Sequence, residues 1–198
     1  MSTRSTLRTI LQPIGVALLL ALLVRASLFR IYAIPSSSMV PTLQPGDRIL
    51  ATLFHRLGSL PRAERGDVVV FRSPSGSDEL LVKRVVGLPG DLVDLREGHL
   101  IVSGHALAEP YLERKFTSGT IVPQIIPADC YFVLGDNRQN SFDSRSWGVL
   151  PARLLVGHAR MILWSSANGA AGARANAATR FIHSARTGAG GRFFLAIR

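Results

Sequence analysis

From residue 30 to residue 165 this chain breaks into short runs rich in β-branched and apolar residues, each closed by a turn signal. The runs are Asp47–Phe54, Asp67–Arg72, Leu80–Val86, Leu92–Leu95, Leu100–Val102, Tyr131–Leu134 and Leu154–Trp164. Between them lie Gln44-Pro45-Gly46-Asp47, Ser73-Pro74-Ser75-Gly76, Leu88-Pro89-Gly90-Asp91, Arg96-Glu97-Gly98 and Gly135-Asp136-Asn137. Pro and Gly punctuate the backbone at these points, and runs of this length suit strands rather than helices. No long stretch of this region keeps a helical period; a short helical turn is expected only around Asn140–Ser144. The pattern predicts a mainly β body of antiparallel sheets, a partly open barrel or sandwich over residues 30–166.

The N-terminus obeys a different rule. Thr9 to Phe29 is 21 residues, mostly Leu, Ala, Val and Ile, about the length that crosses a bilayer. Arg4 and Arg8 precede it, and Pro13 falls in its first turn, where proline is tolerated. Arg25 sits near the far end, where a long side chain snorkels to the interface. A cleavable signal peptide shares the basic start and apolar core. Arg25 and Arg30 directly after the core, and Ile31-Tyr32-Ala33 without a small residue at −3, speak for a retained anchor. Residues 1–8 are then a cytoplasmic basic start, 9–29 a single-pass transmembrane helix, and the body lies outside the cytoplasm.

Charge supports the same division. All 13 acids fall between Asp47 and Asp143, while residues 144–198 carry eight Arg and no acid. Basic ends around a near-neutral body suit nucleic acid or an anionic membrane, and the apolar segment decides for membrane. Residues 167–198 form an Ala-, Gly- and Arg-rich tail in which RFFLAIR, at 192–198, is expected to touch the membrane surface. Cys130 is the only cysteine, so no internal disulfide forms; in a strand-like run, it reads as a small buried residue.

Lys occurs only at Lys83 and Lys115, against 21 Arg. A chain so biased to Arg has placed Lys83 inside an apolar strand. Arg does not give up its proton, whereas a desolvated Lys can be neutral near pH 7 and accept one. Such an amine beside a hydroxyl makes a serine nucleophile without histidine. The plain alternative is a strand lysine reaching out to water. A partner serine is offered by Ile34-Pro35-Ser36-Ser37-Ser38-Met39-Val40-Pro41. Ser38 follows the apolar segment by nine residues, about 30 Å when fully extended, so it lies near the membrane face. If the segment is extended, Ser36 shares a side with Ser38. Its hydroxyl and the Ser38 amide would then make two oxyanion donors. Without the lysine, the same serines would be a polar linker.

A third block, Gly135–Gly148 (GDNRQNSFDSRSWG), is too polar for a core and too rich in hydrogen-bonding groups for a linker. Asp143 and Arg145 can pair through a two-pronged fork, and Ser141 can orient the Lys83 amine. Otherwise the block is a loop held by Asx turns.

Taken in order, Ile34–Leu43, Arg65–Phe71, Lys83–Asp91 and Gly135–Pro151 resemble the four sequence boxes of the bacterial type I signal peptidases, the leader peptidases. The resemblance spans roughly residues 25–164. It implies a membrane-bound serine endopeptidase of the bacterial inner membrane that removes signal peptides from exported preproteins after Ala-x-Ala-like sites. It implies Ser38 as nucleophile, Lys83 as general base, Ser36 and Ser38 as oxyanion hole, Ser141 as orienting group, and Asp143–Arg145 as a supporting pair. It also implies that Tyr32, Ile34, Pro35, Met39, Val70, Leu80, Leu81 and Val82 contact an extended substrate strand, laid against Leu80–Lys83 and the Ile34–Ser36 segment. Ser37 and Gln139 depart from the family's usual Gly and acid, and residues 92–128 are short where other members insert a second β domain.

A self-cleaving repressor with Ser/Lys chemistry would need a DNA-reading helix pair instead of an anchor. A penicillin-binding acylase would show S-x-x-K, which neither lysine supplies. A silent membrane-anchored binding module has no reason to keep Ser38, Lys83 and Ser141 together. No cofactor, metal or nucleic-acid partner is suggested, and oligomeric state is open.

Overall fold

The structure, a computed structural model, describes residues 11, 13–20, 28–54, 62–113, 116–165 and 195–197. Its strands are β1 (Phe29–Ala33), β2 (Arg48–Leu53), β3 (Val68–Arg72), β4 (Leu80–Gly87), β5 (Leu92–Arg96) and β6 (His99–Val102). They continue with β7 (His105–Ala106), β8 (Gln124–Ile125), β9 (Cys130–Leu134), β10 (Leu150–Pro151), β11 (Leu155–Trp164) and β12 (Leu195–Ala196). A short helix, α1 (Ser144–Trp147), and a 3-10 turn, Ala152–Leu154, break the series.

The larger sheet runs β1-β2-β11-β3-β4-β9-β10, with β12 added to β11, and every ladder in it is antiparallel. Its terminal strands do not pair with each other, so the sheet curls as an open half-barrel. The fold is mainly β and partly open, as the strand pattern predicts. All seven strands expected from sequence are present, with ends moved by a residue or two.

Residues 92–125 build a second sheet, β7-β6-β5-β8. It shares a core with the first: Val93, Leu100 and Ile126 pack with Val86, Phe132 and Leu134. That sharing explains why β4 is buried on both faces from Lys83 onward and reads as a continuous apolar run. Phe132 is fully buried there, worth about 2–3 kcal/mol of apolar transfer. Gly87 ends β4 where the two sheets meet; a Cβ on it would lie 2.3 Å from Ile126 Cδ1 and 2.9 Å from Val93 Cγ2. Only glycine lets the sheets approach this closely.

Two further cores fill the half-barrel. One gathers Ile34, Met39, Leu43, Ile49, Val68, Val70 and Ile162. The other gathers Phe71, Val85, Tyr131, Val133, Leu150 and Leu155. The helical turn expected at Asn140–Ser144 lies later, at Ser144–Trp147, because Asp143 caps it by accepting the Arg145 N–H. β1 was not expected: it begins at Phe29, the last residue of the apolar segment, and pairs with β2 from Phe29↔Thr52 to Ala33↔Arg48.

Of the expected transmembrane helix, residues 13–20 are helical, while 1–10 and 21–27 lie outside the described residues. Among the described residues no helix is long and apolar enough to cross a membrane. Most of the tail also lies outside them. Its end does not: β12 pairs Met161↔Ala196 and Ile162↔Leu195, and Ile197 packs on the Ile34/Met39 core.

Candidate active site

The Ile34–Leu43 segment is held from below by apolar burial. Ile34, Met39 and Leu43 insert into the core, at 4%, 0% and 0% exposure. Ile34 N–H donates to Asp47 O at 2.8 Å and Gly46 N–H donates to Ile34 O at 2.8 Å. Ser38 is therefore pinned between two buried anchors. From above, Asn137 N–H donates to Ser38 O at 3.0 Å and Asn137 Nδ2 to Ser37 O at 3.1 Å.

Lys83 comes from β4, opposite Val69 of β3. Its Nζ donates to Ser38 Oγ at 2.6 Å across 45 residues of sequence. Burial pushes the amine down from its ordinary value to about 8, although Asp143 and Asp136 pull it upward. Ser36 Oγ lies 3.2 Å from Ser38 Oγ, the side that period 2 predicts. The Ser38 backbone N–H donates to no carbonyl among the described residues. A hydroxyl, an amine of lowered pKa, a second hydroxyl and a backbone N–H thus gather at one centre, a set able to attack and hold a carbonyl.

The Gly135–Gly148 block packs directly behind. Asp143 is fully buried and grips Arg145 through two bonds of 2.8 Å, the pairing expected from sequence. Burial raises the Asp143 carboxyl, but the Arg145 guanidinium and the Gly135 N–H more than offset it, leaving the group below its ordinary value. Arg145 also donates to Ser118 O and Arg138 O, each at 2.7 Å. Ser141 does not bond Lys83 here. Its hydroxyl is buried without a hydrogen-bond partner, near enough to Asp143 to favour the carboxylate.

Gly135 is the spacer between the two halves. A Cβ there would lie 2.2 Å from Ser141 Oγ and 2.5 Å from Ser38 O. The second contact is backbone and cannot swing aside. Gly135→Ala is expected to cost about 1–3 kcal/mol of stability and to lower activity about a hundredfold by moving Ser38. Thermal melts with steady-state rates check this, and a near-normal rate would show that the Ser38 turn yields freely.

One cleft opens onto this centre. Tyr32, Ile34, Pro35, Met39, Val70, Leu80, Leu81 and Val82 all line it beside Ser36, Ser38 and Lys83. Ala33 and Glu79 line it too, and sequence reading missed both. Ala33 ends the unexpected strand β1, and Glu79 sits one residue before a recognised strand, where an acid reads as part of a turn. Arg84 was also passed over. It is fully buried and clamps Asp136 through Nε–Oδ1 at 2.9 Å and Nη2–Oδ2 at 2.7 Å. An Arg in an apolar strand was the available signal.

A family model described as "Signal peptidase, peptidase S26" matches residues 7–164. The chain belongs to this family. It is a serine peptidase of the S26 signal peptidases, a peptide-bond hydrolase. A signal peptidase I of Leptolyngbya laminosa is 37% identical over 164 residues, covering 78% of each chain. Signal peptidase I T of Bacillus subtilis is 35% identical over 162 residues, covering 76% of this chain and 82% of the relative. A crystal structure of a signal peptidase I from Enterococcus faecalis aligns with 50% of this chain and 98% of its own at 30% identity, with a TM-score of 0.44.

Proposed function

We propose that this S26 peptidase removes N-terminal signal peptides from exported preproteins after Ala-x-Ala-like sites, with Ser38 as nucleophile and Lys83 as base. The observation that carries this is the 2.6 Å contact between Ser38 Oγ and a buried amine whose pKa is about 8. Neutral Lys83 takes the Ser38 hydroxyl proton as Oγ bonds to the scissile carbonyl carbon. The tetrahedral oxyanion is held by the free Ser38 N–H and by Ser36 Oγ, which turns from Ser38 Oγ to the substrate oxygen. The C–N bond then breaks, Lys83 returns the proton to the leaving amine, and an acyl-serine remains. A water gives its proton to Lys83 and its oxygen to the acyl carbon; the Oγ–C bond breaks and the proton goes back to Ser38. Ser141 is assigned to orienting Lys83, which requires its hydroxyl to turn from the position it holds here, and Asp143–Arg145 to holding the Ser141 loop.

Substrate enters by strand addition. β3 pairs with β4 over Leu80–Arg84, but β9 pairs with it only from Arg84 onward. The outer edge of Leu80–Lys83 is therefore unpaired among the described residues and faces the cleft. Its backbone groups supply affinity, and shallow apolar walls from Tyr32, Ile34, Met39, Val70 and Val82 admit only small side chains.

The 9–29 segment is assigned to a transmembrane anchor of the bacterial inner membrane, with residues 1–8 cytoplasmic and the β body outside. Leu11, Ile14, Val16, Leu18, Leu19 and Leu20 are each more than half exposed, which suits lipid rather than water.

The test is cleavage of a preprotein whose signal ends in Ala-x-Ala by detergent-solubilised wild type and Ser38→Ala. The expected result is a cut at that junction by wild type alone. No cut by folded wild type would overturn the substrate class, and a cut by both would overturn Ser38 as nucleophile.

A further inference from the structure

Besides Lys83, one charged side chain lines the substrate cleft: Glu79. Its backbone is fixed, since Glu79 O accepts the Ser73 N–H at 2.9 Å and closes the β3–β4 hairpin. Its side chain is exposed. The carboxylate makes no ion pair or hydrogen bond among the described residues, and its charge acts within the chain only as a weak, longer-range pull on Lys83. Asp78, beside it, is exposed as well. Arg72 faces Leu80 across the ladder but forms no ion pair, so the acid is not neutralised locally. Among the described residues lining the cleft the one cation is Lys83, four residues away at the reacting centre.

Glu79 stands four residues before Lys83. A strand rises about 3.3 Å per residue, which puts the acid about 13 Å along the groove from the reacting centre. In the function proposed above, the residues preceding the cut lie along this same edge, with the last of them opposite Lys83. A substrate strand of equal rise then brings its fourth to sixth residues before the cut against Glu79.

We propose that Glu79 selects substrates by charge at this position, favouring Lys or Arg and rejecting Asp or Glu. The inference rests on the signal-peptide reading of the groove. Selection of this kind is a difference between attraction and repulsion rather than a gain in overall affinity. For an exposed carboxylate each of the two contributes about threefold, so a Lys peptide should outpace its Glu counterpart by about tenfold.

The experiment uses the full chain in detergent at low ionic strength, as wild type, Glu79→Gln and Glu79→Lys. The substrates are Ala-x-Ala peptides differing only in Lys or Glu at the fourth, fifth or sixth residue before the cut. The expected result is a Lys-over-Glu ratio of kcat/KM near ten for wild type at one of these positions. It should fall near one for Glu79→Gln and invert for Glu79→Lys. The wild-type preference should also collapse in 1 M salt, where charges are screened within about 3 Å. A ratio that is the same in all three proteins, or that survives 1 M salt, overturns the assignment. Failure of folded wild type to cut any peptide would instead overturn the reading of the groove on which it rests.

Discussion

Lys83→Arg is expected to abolish cleavage, by at least about a thousandfold, while the β body stays folded. General-base catalysis contributes about 10²–10⁴-fold. Arginine keeps the positive charge beside Asp143 but does not release its proton at any working pH. The contact with Ser38 Oγ would then hold a permanent donor against a hydroxyl that must itself donate. Rates on an Ala-x-Ala substrate, read beside a thermal melt, separate lost chemistry from lost fold. Retention of even a tenth of the wild-type rate would remove Lys83 from the role of base.

The pH profile tests the same residue without mutation. The working form is the neutral amine, so activity must fall as pH drops through the pKa of Lys83. Burial brings that value down from 10.5 to about 8. At pH 7 about one amine in ten is then neutral, against about one in three thousand at an ordinary lysine pKa. Wild-type kcat/KM should rise about tenfold for each pH unit below 8 and level off above it. A flat profile from pH 6 to 9 would show that no group with this pKa carries the reaction.

Asp136→Ala is expected to be the most destabilising single change in the polar framework. Arg84 and Asp136 form a bidentate pair with side chains 1% and 0% exposed. The guanidinium is further held by Gly66 O at 2.8 Å, Thr42 Oγ1 at 3.2 Å and the Tyr111 ring, whose centroid lies 3.9 Å from Cζ. Removing the carboxylate leaves a buried cation unpaired, which costs about 3–5 kcal/mol, a large part of a typical 5–15 kcal/mol total. For a chain of this size the midpoint should fall by roughly 10 °C or more. Activity should fall with it, because Arg84 adjoins Lys83 and Asp136 adjoins Asn137, whose N–H holds Ser38 O. Adding Arg84→Met should recover much of the stability, since it removes the stranded charge. A midpoint shift under about 2 °C for Asp136→Ala alone would mean that Gly66, Thr42 and Tyr111 suffice to hold Arg84.

Seven of the eight strands longer than two residues were legible, because apolar runs and flanking turn residues are local properties. β7, β8, β10 and β12 are two residues each, too short for any periodic signal. They exist as strands only because a partner lies alongside; β12 is separated in sequence by about thirty residues from the strand it joins. β1 was hidden for another reason: its residues continue the apolar segment, and only pairing with β2 stops them being read as helix. The site shows the same limit. Ser38, Lys83, Asp143 and Arg145 could be proposed because unusual residue types stand out in their local context. Glu79 and the Arg84–Asp136 clamp were not, because an acid near a turn and an Arg beside a Lys are ordinary until their neighbours are known. The Ser141 hydroxyl sharpens the point: its residue type suggested a bond to Lys83, whereas the fold buries it beside Asp143.

What the amino-acid sequence determined by itself was the class of body, the family boxes and the residue types able to do the chemistry. Those are written in periodicity, turn residues and side-chain identity, which need no partner to be read. Tertiary structure alone decided that Ser38 Oγ and Lys83 Nζ, 45 residues apart, stand 2.6 Å from each other, and that the lysine is only 3% exposed. Distance and desolvation are properties of packing between segments, and a lysine acting as the proposed base needs both.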